Sequence, residues 1–159
     1  MSPSANPIEA LAIAKAMREW LWLYPAVEIV HIFGFAILVG SVVMFDLRVL
    51  GLSKQISVRA LSRHMLPWSL AALFLIVPTG LMMFSAHAGD FLGNRAFQVK
   101  MALLLTAGMN AAMFRTGPYQ SVKSWDTNAT APVLARLSVG LSIALWIGVI
   151  SCGRLLAYL

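Results

Sequence analysis

Acidic side chains are scarce in this chain: six Asp and Glu among 159 residues, and charged residues of both signs reach only 11%. A soluble domain of this size carries about 25% charged residues. With 60% of its residues hydrophobic, the chain cannot cover itself with polar groups, so part of its solvent must be lipid. Cysteine is nearly absent. Cys152 stands alone inside the last apolar segment, cannot form an internal disulfide, and carries no information on redox compartment. The sequence has no Gly-x-Ser-x-Gly, no His-Glu-x-x-His, no phosphate loop and no paired-cysteine motif. Those absences argue against soluble-type hydrolysis and nucleotide chemistry, and the chain is not expected to be an enzyme by itself. A basic leader and a small-x-small cleavage site are also missing. With Glu9, Lys15, Arg18 and Glu19 in their place, the N-terminus does not read as a cleavable signal peptide.

What is present is positive charge, a net +6. The basic residues sit at the ends of apolar segments rather than in one stripe. That distribution suits anionic membrane surfaces and is a poor footprint for nucleic acid. The length allows one domain.

The pattern predicts an all-α integral membrane four-helix bundle preceded by an amphipathic interfacial helix. Residues 1–5 are small and polar and are expected to fray. Asn6-Pro7-Ile8-Glu9 has the form of a helix start, with an Asn cap, Pro in the first turn and a Glu able to reach back. Ile13, Met17, Trp20, Leu21 and Tyr24 follow on one helical face, so residues 7–22 are expected to lie on the membrane as one helix within an N-terminal unit, 1–23. Trp20, Trp22 and Tyr24 are of the kind that sit at headgroup level. The bundle, 24–159, is expected to hold spans at about 24–45, 65–86, 97–114 and 137–158, each long enough for a ~30 Å core at ~1.5 Å per residue. The third is short for a crossing and needs Lys100 to snorkel to the interface. Pro78 and Gly80 should bend the second. Residues 46–64 are expected as a polar loop or short amphipathic helix and 87–96 as a short loop. Small residues four apart (Ala36 and Gly40, Ala107 and Ala111, Gly140 and Ala144) are candidate close helix contacts. Asn128-Ala129-Thr130 matches a glycosylation sequon, a pattern frequent by chance.

Orientation follows from the basic residues. Arg48, Lys54, Arg59, Arg63, Arg115, Lys123 and Arg136 fall on one side, and Lys15, Arg18, Arg95, Lys100 and Arg154 on the other. The richer side is cytoplasmic by the positive-inside rule, which puts both termini in the periplasm.

An ionisable group at membrane depth is a functional candidate by default. His31 stands seven residues past Tyr24, about 10 Å below the interface. Glu28 lies one turn earlier on the same face, where a carboxylate can hold a histidine's tautomer and raise its basicity as a ligand. Gly34, one turn later, makes room for a flat cofactor or another helix. His87 ends the second span on the same side. Two histidines holding a b-type haem iron is a common membrane arrangement, although these two differ in depth by most of 10 Å. Lys100 and Arg154 lie on that side as well. Either can pair with Glu28, meet a haem propionate or contact lipid phosphate. His31 and His87 are therefore the candidate haem-iron ligands, with Glu28, Lys100 and Arg154 around them. On the other side are Asp46, Arg48, Arg63, His64 and Arg136. Asp46 and Arg48, two apart, cannot face each other on a helix, so Asp46 is expected to pair with a basic residue of another span. Asn110 is expected to hydrogen-bond between helices. Met82, Met83, His87 and Cys152 form a soft set suited to Cu(I), in a chain whose nine methionines are usually packing residues.

Several strings together resemble an uncharacterised bacterial membrane family, domain of unknown function 6644. They are Val27-Glu28-Ile29-Val30-His31-Ile32-Phe33-Gly34, Gly40-Ser41, Phe45-Asp46-Leu47-Arg48-Val49-Leu50-Gly51, Leu66-Pro67-Trp68, Thr79-Gly80-Leu81, Asn94-Arg95-Ala96-Phe97-Gln98-Val99-Lys100, Asn110, Arg136-Leu137-Ser138 and Gly153-Arg154. The resemblance runs from about Trp22 to the C-terminus. It implies four spans in a bacterial inner membrane and no particular activity. More loosely, His31 with Gly34 and Gly40 is similar to the first helix of haem-associated membrane families such as the membrane protoporphyrinogen oxidase and copper-resistance membrane proteins; the helix count and other motifs do not carry over.

Three functions fit these residues. The leading one is a haem b protein in membrane electron transfer. The second is a non-enzymatic accessory or scaffold subunit of a larger membrane complex, or a self-associating one. The third is a copper-handling membrane protein.

Overall fold

The computed structural model describes residues 6–156; the frayed segment expected at 1–5 and the last residues of the expected fourth span lie outside them. The helices are α1 (Ala12–Glu19), α2 (Leu23–Leu50), α3 (Val58–Ala86), α4 (Ala88–Gly93), α5 (Arg95–Thr116) and α6 (Val133–Leu155), with 3-10 turns at Pro7–Ala10 and Pro118–Ser124. No strand occurs among the described residues. Helices α2, α3, α5 and α6 are each long and apolar enough to cross a bilayer. The chain is a multi-pass, all-helical membrane protein.

Helix ends are set by caps as well as by hydrophobicity, and this moves several expected boundaries. Helix α2 continues through Asp46 and Arg48 until Gly51, whose φ of +117° closes it in the left-handed conformation. Helix α3 begins well before Met65, because the Ser57 hydroxyl accepts from the Ala60 amide at 3.0 Å. Asn94 caps α5, accepting from the amides of Ala96 at 2.8 Å and Phe97 at 3.4 Å. The loop expected at 87–96 contains α4.

The N-terminal segment is helical in two pieces rather than one. Asn6 accepts from the Ile8 amide at 3.2 Å as a cap should, but the chain breaks at extended Leu11 before α1 starts. Glu9 does not reach back to the cap. Its carboxylate accepts from the Gly89 amide at 2.7 Å and its carbonyl from Arg18 at 2.7 Å. Arg18 also donates to the Ala86 carbonyl at 2.9 Å. The segment is thereby fastened across the end of α3, with Met17 buried beside Val27 and Ala86. Trp20, Leu21 and Trp22 follow the end of α1 and remain exposed.

Two antiparallel hairpins build the bundle. Helix α2 packs along α3, α5 along α6, and the hairpins meet where α2 packs on α6. Close approach occurs at Gly34, where an added Cβ would stand 3.1 Å from Ile76 and 3.2 Å from Leu75, and at Gly148, 3.0 Å from Leu103. Gly40 and Gly140, expected at helix contacts, have nothing within 4 Å of the corresponding position. Asn110 does bridge helices as expected: its amide donates to the Ser138 carbonyl at 2.9 Å, and the Ser138 hydroxyl donates back to Asn110 Oδ1 at 2.9 Å.

Helices α3 and α5 do not pack along their lengths. Their side chains touch near the two ends. At one, Phe84, Phe91 and Phe97 stack, with ring centres 5.3–6.3 Å apart. At the other, Arg115 donates to Ser62 at 3.4 Å. Between these ends lies a cavity of about 1220 Å³, lined by all four long helices.

The turn between α2 and α3 is locked by a buried arginine. Arg48 donates through Nε to the Ile56 carbonyl at 2.5 Å and through Nη2 to the carbonyls of Lys54 at 2.9 Å and Asp126 at 3.0 Å. The Asp126 carboxylate accepts from Ser57 at 2.9 Å and from the Arg59 amide at 2.8 Å. A cluster of Val49, Val58, Phe114, Trp125 and Ala135 closes this end. Hydrogen bonds to a charged group contribute about 1.5–3 kcal/mol each, and an orphaned carbonyl costs more than a missing one. Arg48→Ala should therefore lower the thermal unfolding midpoint in detergent, read by scanning fluorimetry, whereas Arg63→Ala at an exposed site should not. Arg48→Lys should recover only part of the loss, because one ammonium cannot span the fork. Equal midpoints for the wild type and Arg48→Ala would contradict the clamp.

Candidate functional site

His31 lies on α2 and faces α3 across the cavity wall. Its Nδ1 is 2.9 Å from Thr79 Oγ1, and the Thr79 hydroxyl is 2.5 Å from the Leu75 carbonyl one turn back in α3. A hydroxyl has one proton, and two oxygens approach this closely only with that proton between them. Thr79 therefore donates to Leu75 and accepts from His31 Nδ1–H. In the neutral ring this leaves the lone pair on Nε2; the backbone of Ile76 in α3 is a further hydrogen-bond partner of the ring. The imidazole lies close on α3 because residue 80 is glycine: an added Cβ would stand 3.1 Å from His31 Cε1.

The partner that orients His31 is thus Thr79, not Glu28. Two side chains three apart on α2 share a face but do not meet here, because the ring is drawn across to α3. Glu28 lines the cavity at its exposed mouth with Tyr24. Gly34 admits α3 rather than a cofactor.

Lys100 of α5 also lines the cavity. Its Nζ lies over α6, 3.6 Å from where a Cβ on Gly153 would be. Lys100 and Glu28 are the charged groups near enough to His31 to act on it electrostatically, and no ion pair joins them to each other within 4.0 Å among the described residues.

His87 and Arg154 are not among the cavity-lining residues. His87 caps the end of α3, edge-on to Tyr24 at 6.1 Å, with Nδ1 3.9 Å from the Asp90 carboxylate. It stands eight residues beyond Thr79, about 12 Å along the helix, so His31 and His87 are not brought to one point. Arg154 is exposed on α6. Of the soft set, Met82 and Met83 both pack against the Met17, Val27 and Ala86 cluster, Met83 also lining the cavity, and His87 is not among the cavity-lining residues.

The other end of the cavity is polar too. Asp46, Ser62, Asn110, Ser138, Ser142 and Arg115 line it. Asp46 has no cation within 4.0 Å among the described residues, although an ion pair with another span was expected. Arg48 is turned to the carbonyls of the α2–α3 turn, and Arg115 reaches Ser62 and lies 4.5 Å over the Tyr119 ring. Nothing in the sequence marks Thr79, Ser142 or Asp126 as partners of the groups they meet here. The one available signal was Thr79-Gly80, a hydroxyl and a missing side chain beside Pro78.

A family model described as "Family of unknown function (DUF6644)" matches residues 22–159. No curated protein and no solved structure matches the chain.

The hydrogen-bond chain generates a spectroscopic prediction. In ¹⁵N-histidine NMR of the protein in nanodiscs, neutral His31 should appear as the Nδ1–H tautomer. Thr79→Ser should keep that signature. Thr79→Val, which removes the acceptor, should lose it, shifting His31 to the Nε2–H form common in free imidazoles. A wild-type His31 already in the Nε2–H form would contradict the assignment.

Proposed function

The chain belongs to this family of unknown function, a membership that brings no activity with it, and from the cavity we propose that it binds b-type haem through His31 and takes part in membrane electron transfer. The observation that carries the reading is a cavity-lining histidine whose Nδ1–H is held by Thr79, which leaves Nε2 as an oriented ligand atom. Metal-ligating histidines generally donate their second nitrogen to such a partner, and bundles hold cofactors between facing helices. The cavity, about 1220 Å³, is ample beside the roughly 300–1,000 Å³ of ordinary ligand sites. Lys100 supplies a cation for a propionate or a second donor near the iron. Among these residues His31 would hold the iron; His87, which is not among the cavity-lining residues, is not assigned to it. Bound haem supplies one-electron chemistry, while the protein orients the ring, excludes water and balances its charge. The same reading places the chain in a bacterial inner membrane, with both termini in the periplasm and the segment before α2 at the membrane surface.

A second reading is an accessory subunit. It is supported by the unpacked face between α3 and α5, where Leu66, Leu70, Leu73, Val77 and Leu81 both line the cavity and stay exposed. A helix of another subunit, or of a second copy, could fill that gap by apolar packing.

The test is the visible spectrum of protein purified from a haem-replete host, oxidised and then reduced with dithionite. Haem b should give a Soret band that shifts on reduction and a resolved α band. His31→Ala should lose nearly all of it with the bundle still folded, and His87→Ala should keep it. A flat wild-type spectrum, or full retention in His31→Ala, would overturn the haem reading; a flat spectrum together with co-purification of a partner subunit would favour the second.

A further inference from the structure

Asp46 lies on α2 fifteen residues beyond His31, about 22 Å along the helix at the usual rise, and lines the same cavity from its other end. The residue is only 4% exposed, and its Oδ2 is a buried oxygen with no hydrogen-bond partner. The neighbour that hydrogen-bonds to the carboxyl is Ser142 of α6.

The charged and titratable groups around it are all occupied or remote. On α2, Arg48 is spent on three carbonyls. On α3, Arg63 and His64 are exposed and outside the cavity. On α5, Arg115 lines the cavity but is held by Ser62 and the Tyr119 ring. The 3-10 turn brings Tyr119 and an exposed Lys123, and α6 an exposed Arg136. None forms an ion pair with Asp46 within 4.0 Å among the described residues.

A buried carboxylate without a counter-charge is strongly unfavourable in a dry bundle, so this carboxyl has to hold a small cation. The donors decide which one. Asn110 and Ser138 are spent on each other, leaving the carboxyl with the hydroxyls of Ser142, Ser62 and Ser41. That is short of the six or more oxygens that hard metal cations gather.

We propose that Asp46 is an exchangeable proton-binding site at the end of the cavity opposite His31. The site takes up its proton from the membrane side that carries the α2–α3 turn. It stands whether or not His31 holds a haem, since no atom of it is shared with His31.

The test labels the full-length protein in nanodiscs with dicyclohexylcarbodiimide, an apolar reagent that enters from the bilayer and attacks protonated carboxyls. The acid proton passes to a carbodiimide nitrogen and the carboxyl oxygen adds to the central carbon. Acyl transfer to nitrogen then leaves a stable N-acylurea, with no oxidation or reduction. Peptide mass spectrometry should find the adduct on Asp46. It should diminish to loss as pH is raised at constant salt, and stay unchanged when sodium replaces choline. Glu28→Gln should keep it and Asp46→Asn should lack it; should that variant not fold, the wild-type pH and sodium series carry the test alone. Three results would overturn the proposal: labelling at Glu28 but none at Asp46, an Asp46 adduct insensitive to pH, or protection by sodium, which would make the site a metal-ion site.

Discussion

The contact between α2 and α3 at two glycines is what the rest of the arrangement depends on. Gly34 lets the two backbones close against Leu75 and Ile76, and Gly80 leaves the space that the His31 ring occupies. A side chain at either position would meet a neighbour at about van der Waals contact or closer. Without that closeness His31 Nδ1 could not reach Thr79, and an imidazole in a lipid-facing helix would lack a satisfied donor. Tight packing on this seam also has a consequence elsewhere. Helix α2 is committed to α3 and α6, and α5 to α6, so the fourth side of the bundle, between α3 and α5, is left without close backbone packing. The cavity follows from that asymmetry.

Polar groups in this bundle are handled in two ways. Arg48, Asp126 and Ser57 form a network in which each charged group meets several partners, and it knits two connections together. Fully satisfied networks of this kind specify a structure. His31 and Asp46 differ: both line the cavity, His31 is held through Nδ1 by Thr79, and Asp46 keeps one buried oxygen without a hydrogen-bond partner. Ionisable groups at membrane depth are costly to keep, which is why both are read as sites rather than as packing. They stand at opposite ends of one apolar chamber walled by Phe35, Leu38 and Trp146.

The architecture was largely legible because lipid imposes it. Long uncharged runs announce spans, and the family strings cover the same region that the family model matches. Helix ends were less legible, since Ser57, Asn94 and Gly51 act through local hydrogen bonds and dihedral angles that hydrophobicity does not register. In the candidate site, His31 and Lys100 were readable as ionisable residues inside spans. The partner of His31 was not. Spacing within a helix pointed to Glu28, but the ring leans across to a second helix, and which residue of α3 stands opposite depends on the crossing set by Gly34 and Gly80. Asp46 was expected to find a cation for the same reason, a lack of register information. Arg48 turns instead to the carbonyls of its own turn, and Ser142 is what faces the carboxyl.

The central claim is that His31 Nε2 is the ligand atom of a cavity open to a flat cofactor. An experimental density map of the protein purified from its membrane tests it most directly. The account predicts density for a macrocycle between α3 and α5 with its metal at bonding distance from His31 Nε2. Lipid tails or a neighbouring helix filling the gap, with Nε2 untouched, would contradict it.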